Sequence, residues 1–423
     1  MSGLLQRSGR AAAIIALVLA FVPGCSFSTG AAPAPNNTGK LARTGTIPAA
    51  QTNVAPLIVD DAAATNPNLV SVGIASAAGL PSLPNSVNLP PGFSISLIAS
   101  GMTQPRFMAF DPSGNLIVGT DDGVIYRLPR NGGSVTPTSA PATLLTGLHA
   151  PHSLGFSGGY LYVAETDRVR RFPYAADGTL GSPETVIGDL PLVGEHFSRT
   201  VIFGADGKMY VSAGSSCNIC VEQDPRRAAI SQYNTDGSGW VRFAWGARNA
   251  VGLAIQPGTN LLWATVNERD DQGNEIPPDL VTAVHQGDDF GWPYCLPPNA
   301  TPQDPGDNCT GITPPTIGIQ AHSAPLGLAF YTGSQFPSDY QGDLFVVQHG
   351  SWDRMPPAPP QIVRIHFVNG QPAGVQDFAT GWQTDDKPTR WGRPAGIIVA
   401  PDGSLIVSDD QSGYIYRISY GGS

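Results

Sequence analysis

The stretch Arg393-Pro-Ala-Gly-Ile-Ile-Val-Ala-Pro-Asp-Gly-Ser-Leu-Ile-Val-Ser408, followed by Tyr414-Ile-Tyr-Arg-Ile418, carries the unit that decides the fold. A small or proline-flanked lead runs into an apolar triplet. A Pro-Asp-Gly turn follows, then an alternating strand, then a second strand with aromatics. Proline presets one turn dihedral and glycine supplies the left-handed one, so the turn has a physical cause. Five earlier stretches repeat the unit. They run from Gln104 to Gly119 and on to Arg127, from Ala150 through Leu161–Ala164 to Phe172, and from Ser198 to Ser212. The next two are Arg248 to Gly258 with Leu261–Ala264, and Ala324 to Phe330 with Asp343–Val347 and Ile362–His366.

The early copies lie about 46 to 52 residues apart, the period of a propeller blade of four strands, and insertions near 270–320 and 350–360 stretch the later spacing to about 70. Six copies predict an all-β chain, a six-bladed β-propeller of four-stranded antiparallel blades over residues 91–421. The segment Phe93-Ser-Ile-Ser-Leu-Ile-Ala99 precedes the first copy and alternates with period two. It is expected to pair with the last blade and close the ring, removing an exposed sheet edge.

Outside the repeats, residues 1–25 read as a signal peptide. Arg7 and Arg10 precede a short apolar run from Ala11 to Val22, which ends at Val22-Pro23-Gly24-Cys25. This is the layout of an export signal, and its end resembles a bacterial lipobox, which implies a lipid on Cys25. The expected location is exported, in the periplasm or on an outer face, held to a membrane by that anchor alone. Residues 26–90 are rich in Ala, Pro, Asn, Thr and Ser and read as a flexible tether, with Leu57–Val59 and Leu69–Ile74 able to dock on the domain. With 50 glycines, 40 prolines and only 13% charged residues, the rest is turn-rich rather than helical. A net charge of −10 argues against nucleic acid as a partner.

Four cysteines remain after Cys25, an even number suited to disulfides in an exported chain. Each pair occupies its own loop, so Cys217–Cys220 and Cys295–Cys309 is the expected pairing. A redox Cys-x-x-Cys would need a βαβ context, and a zinc site a second pair at ligand spacing.

The loops that lead into the apolar triplets carry the chemistry. They hold Arg106, His152, His196 with Arg199, Arg248 with Asn249, and Arg393, about one basic group per blade at a shared repeat phase. In a propeller such loops gather on one face around the axis, where they suit a polyanion. The insertion Val266-Asn-Glu-Arg-Asp-Asp-Gln-Gly-Asn-Glu275 is rich in oxygen donors and suits a hard cation such as Ca²⁺, though without EF-hand spacing.

At these residues the chain resembles the soluble pyrroloquinoline-quinone (PQQ) aldose dehydrogenases, nearest their sorbosone and pyranose dehydrogenase branch. The resemblance runs in order from about residue 90 to 420. Its motifs are His196 to Tyr210, Gly214 to Cys220, Ala247 to Ala254, Asn267 to Asp271, Phe290 to Pro293, His349-Gly-Ser-Trp-Asp-Arg354 and Gly392 to Gly396. It implies PQQ and Ca²⁺ as cofactors, a sugar or aldehyde substrate, and hydride transfer to the quinone. His196 matches the general base. Arg248, Asn249 and Arg393 match cofactor contacts, and Arg106, His152 and Arg199 join them by repeat phase. Glu268 and Arg269 fall where backbone carbonyls bind Ca²⁺. The family's cofactor-binding lysine region is replaced here by His349–Arg354, so His349 or Arg354 is expected to take over, and His349 is a second candidate for the base. Cys220 is followed by Val221, so no c-type haem motif is formed and the electron acceptor is expected to be a separate periplasmic partner. Two other readings stay open: a Ca²⁺-dependent lactonase-like hydrolase, and a propeller that only binds a sugar or a partner.

Overall fold

The computed structural model describes residues 57–58, 68–383 and 389–421. Cys25 and the signal segment lie outside them. Six antiparallel sheets follow one another along the chain, and the first strand of each lies innermost. Blade 1 comprises Pro105–Phe110, Leu116–Thr120, Ile125–Leu128 and Ala142–Leu145. Blade 2 runs from Ser153 to Ile187, blade 3 from Arg199 to Trp245 and blade 4 from Asn249 to Ile319. Blade 5 covers Pro325 to Ala379. Blade 6 takes Pro394–Val399, Leu405–Asp409 and Tyr414–Tyr420 from the C-terminus.

The fourth strand of blade 6 is Phe93–Ala99, paired antiparallel to Tyr414–Tyr420 in the register Ile418↔Ile95 and Tyr420↔Phe93. The ring therefore closes as its alternation foretold. Ile95 and Leu97 are buried with Tyr416, Phe345 and Phe378 between blades 5 and 6. The long insertion of blade 4 contributes a short hairpin, Cys295–Leu296 with Thr301–Pro302, before the blade's last strand Ile317–Ile319. Both disulfides join the pairs expected, Cys217–Cys220 and Cys295–Cys309.

The expected tether is not all tether. Val70–Gly73 pairs with Ser86–Leu89, and Ala75–Ser76 adds a parallel strand beside Phe93–Ala99. Leu57–Ile58 does the same beside Ile317–Ile319 of blade 4. Val87 and Leu89 are fully buried in the cluster that holds the closing strand. Leu57–Ile58 and Val70–Gly73 lie in the two stretches read as able to dock, because two or three well-placed apolar residues suffice to seat a short strand. Truncating the closing strand's anchor by Leu97→Ala should cost about 2–5 kcal/mol of unfolding free energy, the usual range for a buried leucine. Urea denaturation of the two proteins measures it.

Candidate active site

The loops that lead into the inner strands turn under strain. Gln104, Ala150 and Ala324 have φ of 45°, 45° and 52°, each directly before a proline. A non-glycine residue in this region costs about 1–3 kcal/mol and persists only where the surroundings impose it. After Gln104 and Ala324 the proline itself opens the inner strand, and after Ala150 the strand starts at Ser153. In blade 1 the side chain after the proline, Arg106, reaches a cavity of about 260 Å³. His196, Arg248, Asn249, His349 and Arg393 line the same cavity. Phe197 and Trp352, 45% and 73% exposed, also line it. The stretch of channel between the inner strands is different in kind, lined by Phe107, Leu154, Val201, Leu253 and Leu328.

His196 is held as a neutral acceptor. Its Nδ1 lies 2.9 Å from the Ser215 carbonyl and 3.0 Å from the Ser215 hydroxyl, which itself donates to the Cys217 carbonyl. Both neighbours accept, so Nδ1 carries the proton and Nε2 keeps its lone pair. Burial, with the Arg248 cation nearby, pushes the imidazole down to about 3. Gly214 makes room for this arrangement: a Cβ there would collide with Asn249 Oδ1 and press on His196 Cβ.

Arg248 is buried and held by several partners. It donates to the carbonyls of Glu268 at 2.5 Å and Asn218 at 3.2 Å, and pairs with Asp270 Oδ2 at 2.8 Å. Asn218 also exchanges hydrogen bonds with the Asp270 backbone, so the disulfide loop 217–220 is the wall behind both the imidazole and the guanidinium. On the other side, Asp410 bridges two site residues. It accepts from Arg106 Nη1 and lies 2.9 Å from His349 Nε2. The hydrogen bond from His349 and the Arg106 guanidinium hold Asp410 well below the usual carboxylate range despite its burial. Burial brings His349 down to about 4 although Asp410 opposes the shift. Arg393 donates to the carbonyls of His349 and Gly350 at 3.0 and 3.2 Å and has no ion pair among the described residues. Burial lowers it to about 10.

Not every basic residue of the repeat phase reaches the cavity. His152 is completely buried behind Arg106, 3.4 Å from its Nη2 and packed on Phe107. Burial and Arg106 push it well below its ordinary range, so it is neutral. Arg199 is spent on the carbonyls of Pro191, His196 and Ser198, which makes it a brace for the His196 loop. Arg227, not foreseen, does the same from below, donating to His196 and Gly214. Arg354 is buried against Glu275 and the Asn274 carbonyl and does not line the cavity.

The side chains of Glu268 and Arg269 are engaged within the protein. Their side chains pair at 3.3 Å, and Arg269 donates onward to Cys295 O and Gln303 Oε1. The Glu268 carbonyl accepts from Arg248, so the guanidinium stands where a cation on that carbonyl would have to approach. Residues of carboxylate and imidazole chemistry do meet one step further along, at Asp270, His322 and Asp353. The sequence reading held Asp270 within a loop suited to a hard cation but singled out neither His322, Asp353 nor Asp410. One geometric signal finds Asp410. Asp121, Glu268, His349 and Asp410 each directly follow the second strand of a blade, and Ser215 lies one further on. In an antiparallel hairpin that position lies beside the start of the inner strand.

A charged cavity at the axis of a closed six-bladed ring can be set beside known proteins. The TrAA12-like family model matches residues 87–288 and 274–421. A pyrroloquinoline quinone-dependent sugar dehydrogenase of Hypocrea jecorina is 26% identical over 77% of this chain and 87% of its own length. A pyrroloquinoline quinone-dependent pyranose dehydrogenase of Coprinopsis cinerea is 25% identical over 81% of this chain, which spans 56% of that protein. Among solved structures, the Trichoderma reesei family AA12 enzyme superposes with a TM-score of 0.70 at 23% identity, covering 82% of this chain and 100% of that one. The PQQ domain of the Coprinopsis cinerea pyranose dehydrogenase gives 0.69 at 22%, with the same coverage. These superpositions repeat the propeller, and the match that takes in every blade places this chain in the TrAA12-like family.

Proposed function

We propose that the chain is a PQQ-dependent oxidoreductase that oxidises a sugar, of aldose, pyranose or aldosulose type, at a carbon bearing a hydroxyl. The observation that carries this reading is the neutral His196 Nε2, aimed into a cavity that three guanidiniums also line. The donor set fits a flat polycarboxylate. Arg106 and Arg248 present charge already positioned by Asp410 and Asp270, and Arg393 brings a guanidinium without a carboxylate partner among the described residues. Guanidinium–carboxylate pairing is bidentate and strong where water is excluded. The sugar dehydrogenase relatives of Hypocrea and Coprinopsis support the same cofactor.

PQQ, when bound, supplies the two-electron acceptor for the hydride. The residues of the chain supply the rest. His196 Nε2 takes the hydroxyl proton, and the Ser215 carbonyl and hydroxyl steady Nδ1–H as positive charge develops on the ring. His349, tied to Asp410, orients Arg106 through the shared carboxylate and stands across the cavity from the base as a positioning group. Phe197 and Trp352 offer the exposed ring faces on which a sugar can stack. Calcium is not assigned to Glu268 and Arg269, whose charges and Glu268 carbonyl are engaged within the protein. Export and the lipid on Cys25 belong to the same proposal; the two disulfides support an oxidising compartment.

Titrating the purified protein with PQQ and then supplying sugars with a redox dye tests the reading. Micromolar PQQ binding and sugar-dependent dye reduction are expected, and absence of PQQ binding overturns it. His196→Ala should keep PQQ affinity and lose about 10²–10⁴-fold in turnover. Arg393→Gln should instead weaken PQQ binding by about 10–100-fold, the worth of one charge-assisted pair.

The pH profile gives an independent check. The base works only when neutral, and burial with Arg248 holds its ionisation far below 6.5. The acid limb of kcat/KM should therefore lie below the ordinary histidine range. Arg248→Leu, assayed at saturating PQQ, should move that limb upward, because a cation that disfavours imidazolium is gone.

A further inference from the structure

We infer that Asp270, His322 and Asp353 form a divalent-cation site of their own, suited to Zn²⁺, at the wall of the cavity. The ligand atoms of the three residues lie within 4.8 Å of one another. His322 Nδ1 is 3.3 Å from Asp353 Oδ1 and 4.0 Å from Asp270 Oδ1. The other ring nitrogen, Nε2, lies 2.8 Å from the Gly273 carbonyl. A carbonyl only accepts, so Nε2 donates to it, and in the neutral tautomer this leaves Nδ1 with a lone pair toward two carboxylate oxygens. In that tautomer three acceptors converge with no hydrogen between them. A cation resolves that arrangement, and a backbone carbonyl on the far nitrogen is the usual outer partner of a metal-bound imidazole.

A second observation points the same way. The Asp353 side chain is 8% exposed, and its buried Oδ1 has no hydrogen-bond partner. Its other oxygen accepts only a long 3.4 Å bond from the Asp271 backbone. Asp270 is likewise split: Oδ2 is taken by Arg248 and Oδ1 is left toward His322. The frame is fixed from behind, since Asp279 accepts from the backbone nitrogens of Glu268 and Ala324 at 2.8 Å each, pinning the two loops that bear Asp270 and His322.

The donor set chooses the ion. Ca²⁺ takes six to eight oxygen ligands, whereas one imidazole with two carboxylates suits a first-row ion. Zinc bound at about 2.1 Å in tetrahedral geometry holds its ligands about 3.4 Å apart, close to the 3.3 Å separation already present. Three protein ligands leave one position, and all three residues line the cavity, so that position opens onto it. Through Asp270 the ion would share a carboxylate with Arg248. The inference concerns the same cavity but does not depend on the quinone, so either can fail alone.

The test uses the full-length protein, stripped with a chelator and without PQQ, titrated calorimetrically with Zn²⁺ and separately with Ca²⁺. One Zn²⁺ per chain, bound more tightly than Ca²⁺, is expected. Asp353→Asn and His322→Gln should each weaken Zn²⁺ by more than about 100-fold, beyond the 10–100-fold typical of an outer partner. Glu222→Gln, beside the Cys217–Cys220 disulfide, should leave it unchanged. Thermal melting confirms that the isosteric Asp353→Asn variant is folded. Zinc affinity that survives both substitutions, or Ca²⁺ bound more tightly, overturns the assignment. So does an Nδ1 proton on His322 in the ¹⁵N spectrum of the stripped protein, which would mark the trio as an ion pair.

Discussion

Everything at the site hangs on how closely six inner strands crowd around one axis. A Cβ on Gly252 would collide with the Leu326 carbonyl of the next blade, one on Gly327 with the Ala395 carbonyl, and one on Gly396 with the Arg106 carbonyl. Those same inward carbonyls need donors, because an unpaired buried carbonyl is expensive. Hydroxyls from the neighbouring blade supply them. Ser408 donates to Arg106 O, Thr265 to Leu326 O and Thr200 to Val251 O. Blade packing and site geometry are therefore one constraint. The residues that carry the chemistry begin strands whose positions are stitched on both sides.

On that frame the charges are held in advance. A buried ion pair contributes little net stability, since desolvation offsets most of the attraction. Its value here is orientation. Arg106, Asp410 and His349 form one chain of contacts, and Asn218, Arg248 and Asp270 another. Each fixes a guanidinium at the cavity before any ligand arrives, which is where electrostatic preorganisation has its effect.

The fold was legible because a propeller writes its geometry as a period. The apolar triplet, the Pro-Asp-Gly turn and the aromatic strand recur whatever the site does, and the alternation of Phe93–Ala99 disclosed its place at the seam. The site was legible only along the phase of the inner strand. That phase carried Arg106, His196, Arg248 and Arg393 to the cavity, but it also marked Arg199 and His152, which are buried braces. Charge in a sequence does not say whether a guanidinium meets a ligand or a carbonyl. Asp410 was hidden beside Asp409, whose Oδ1 accepts from the backbone nitrogens of Arg393, Gln411 and Ser412. Asp353 was hidden because its partners His322 and Asp270 lie on two other loops, and no spacing along the chain records a meeting across blades.

The seam of the ring has a consequence for how the chain is made. The strand Phe93–Ala99 leaves the ribosome before the first blade, yet its partner Tyr414–Tyr420 follows only after five blades have been made. Until then the early strand has an unpaired edge, and closing so long a loop carries an entropic cost that only the finished sheet repays. Blades can form in succession as they are synthesised, but the circle cannot. Any chain that lacks Tyr414–Tyr420 leaves the closing strand Phe93–Ala99 without its antiparallel partner, so closure of the ring is itself checked by the architecture before the cavity takes its shape.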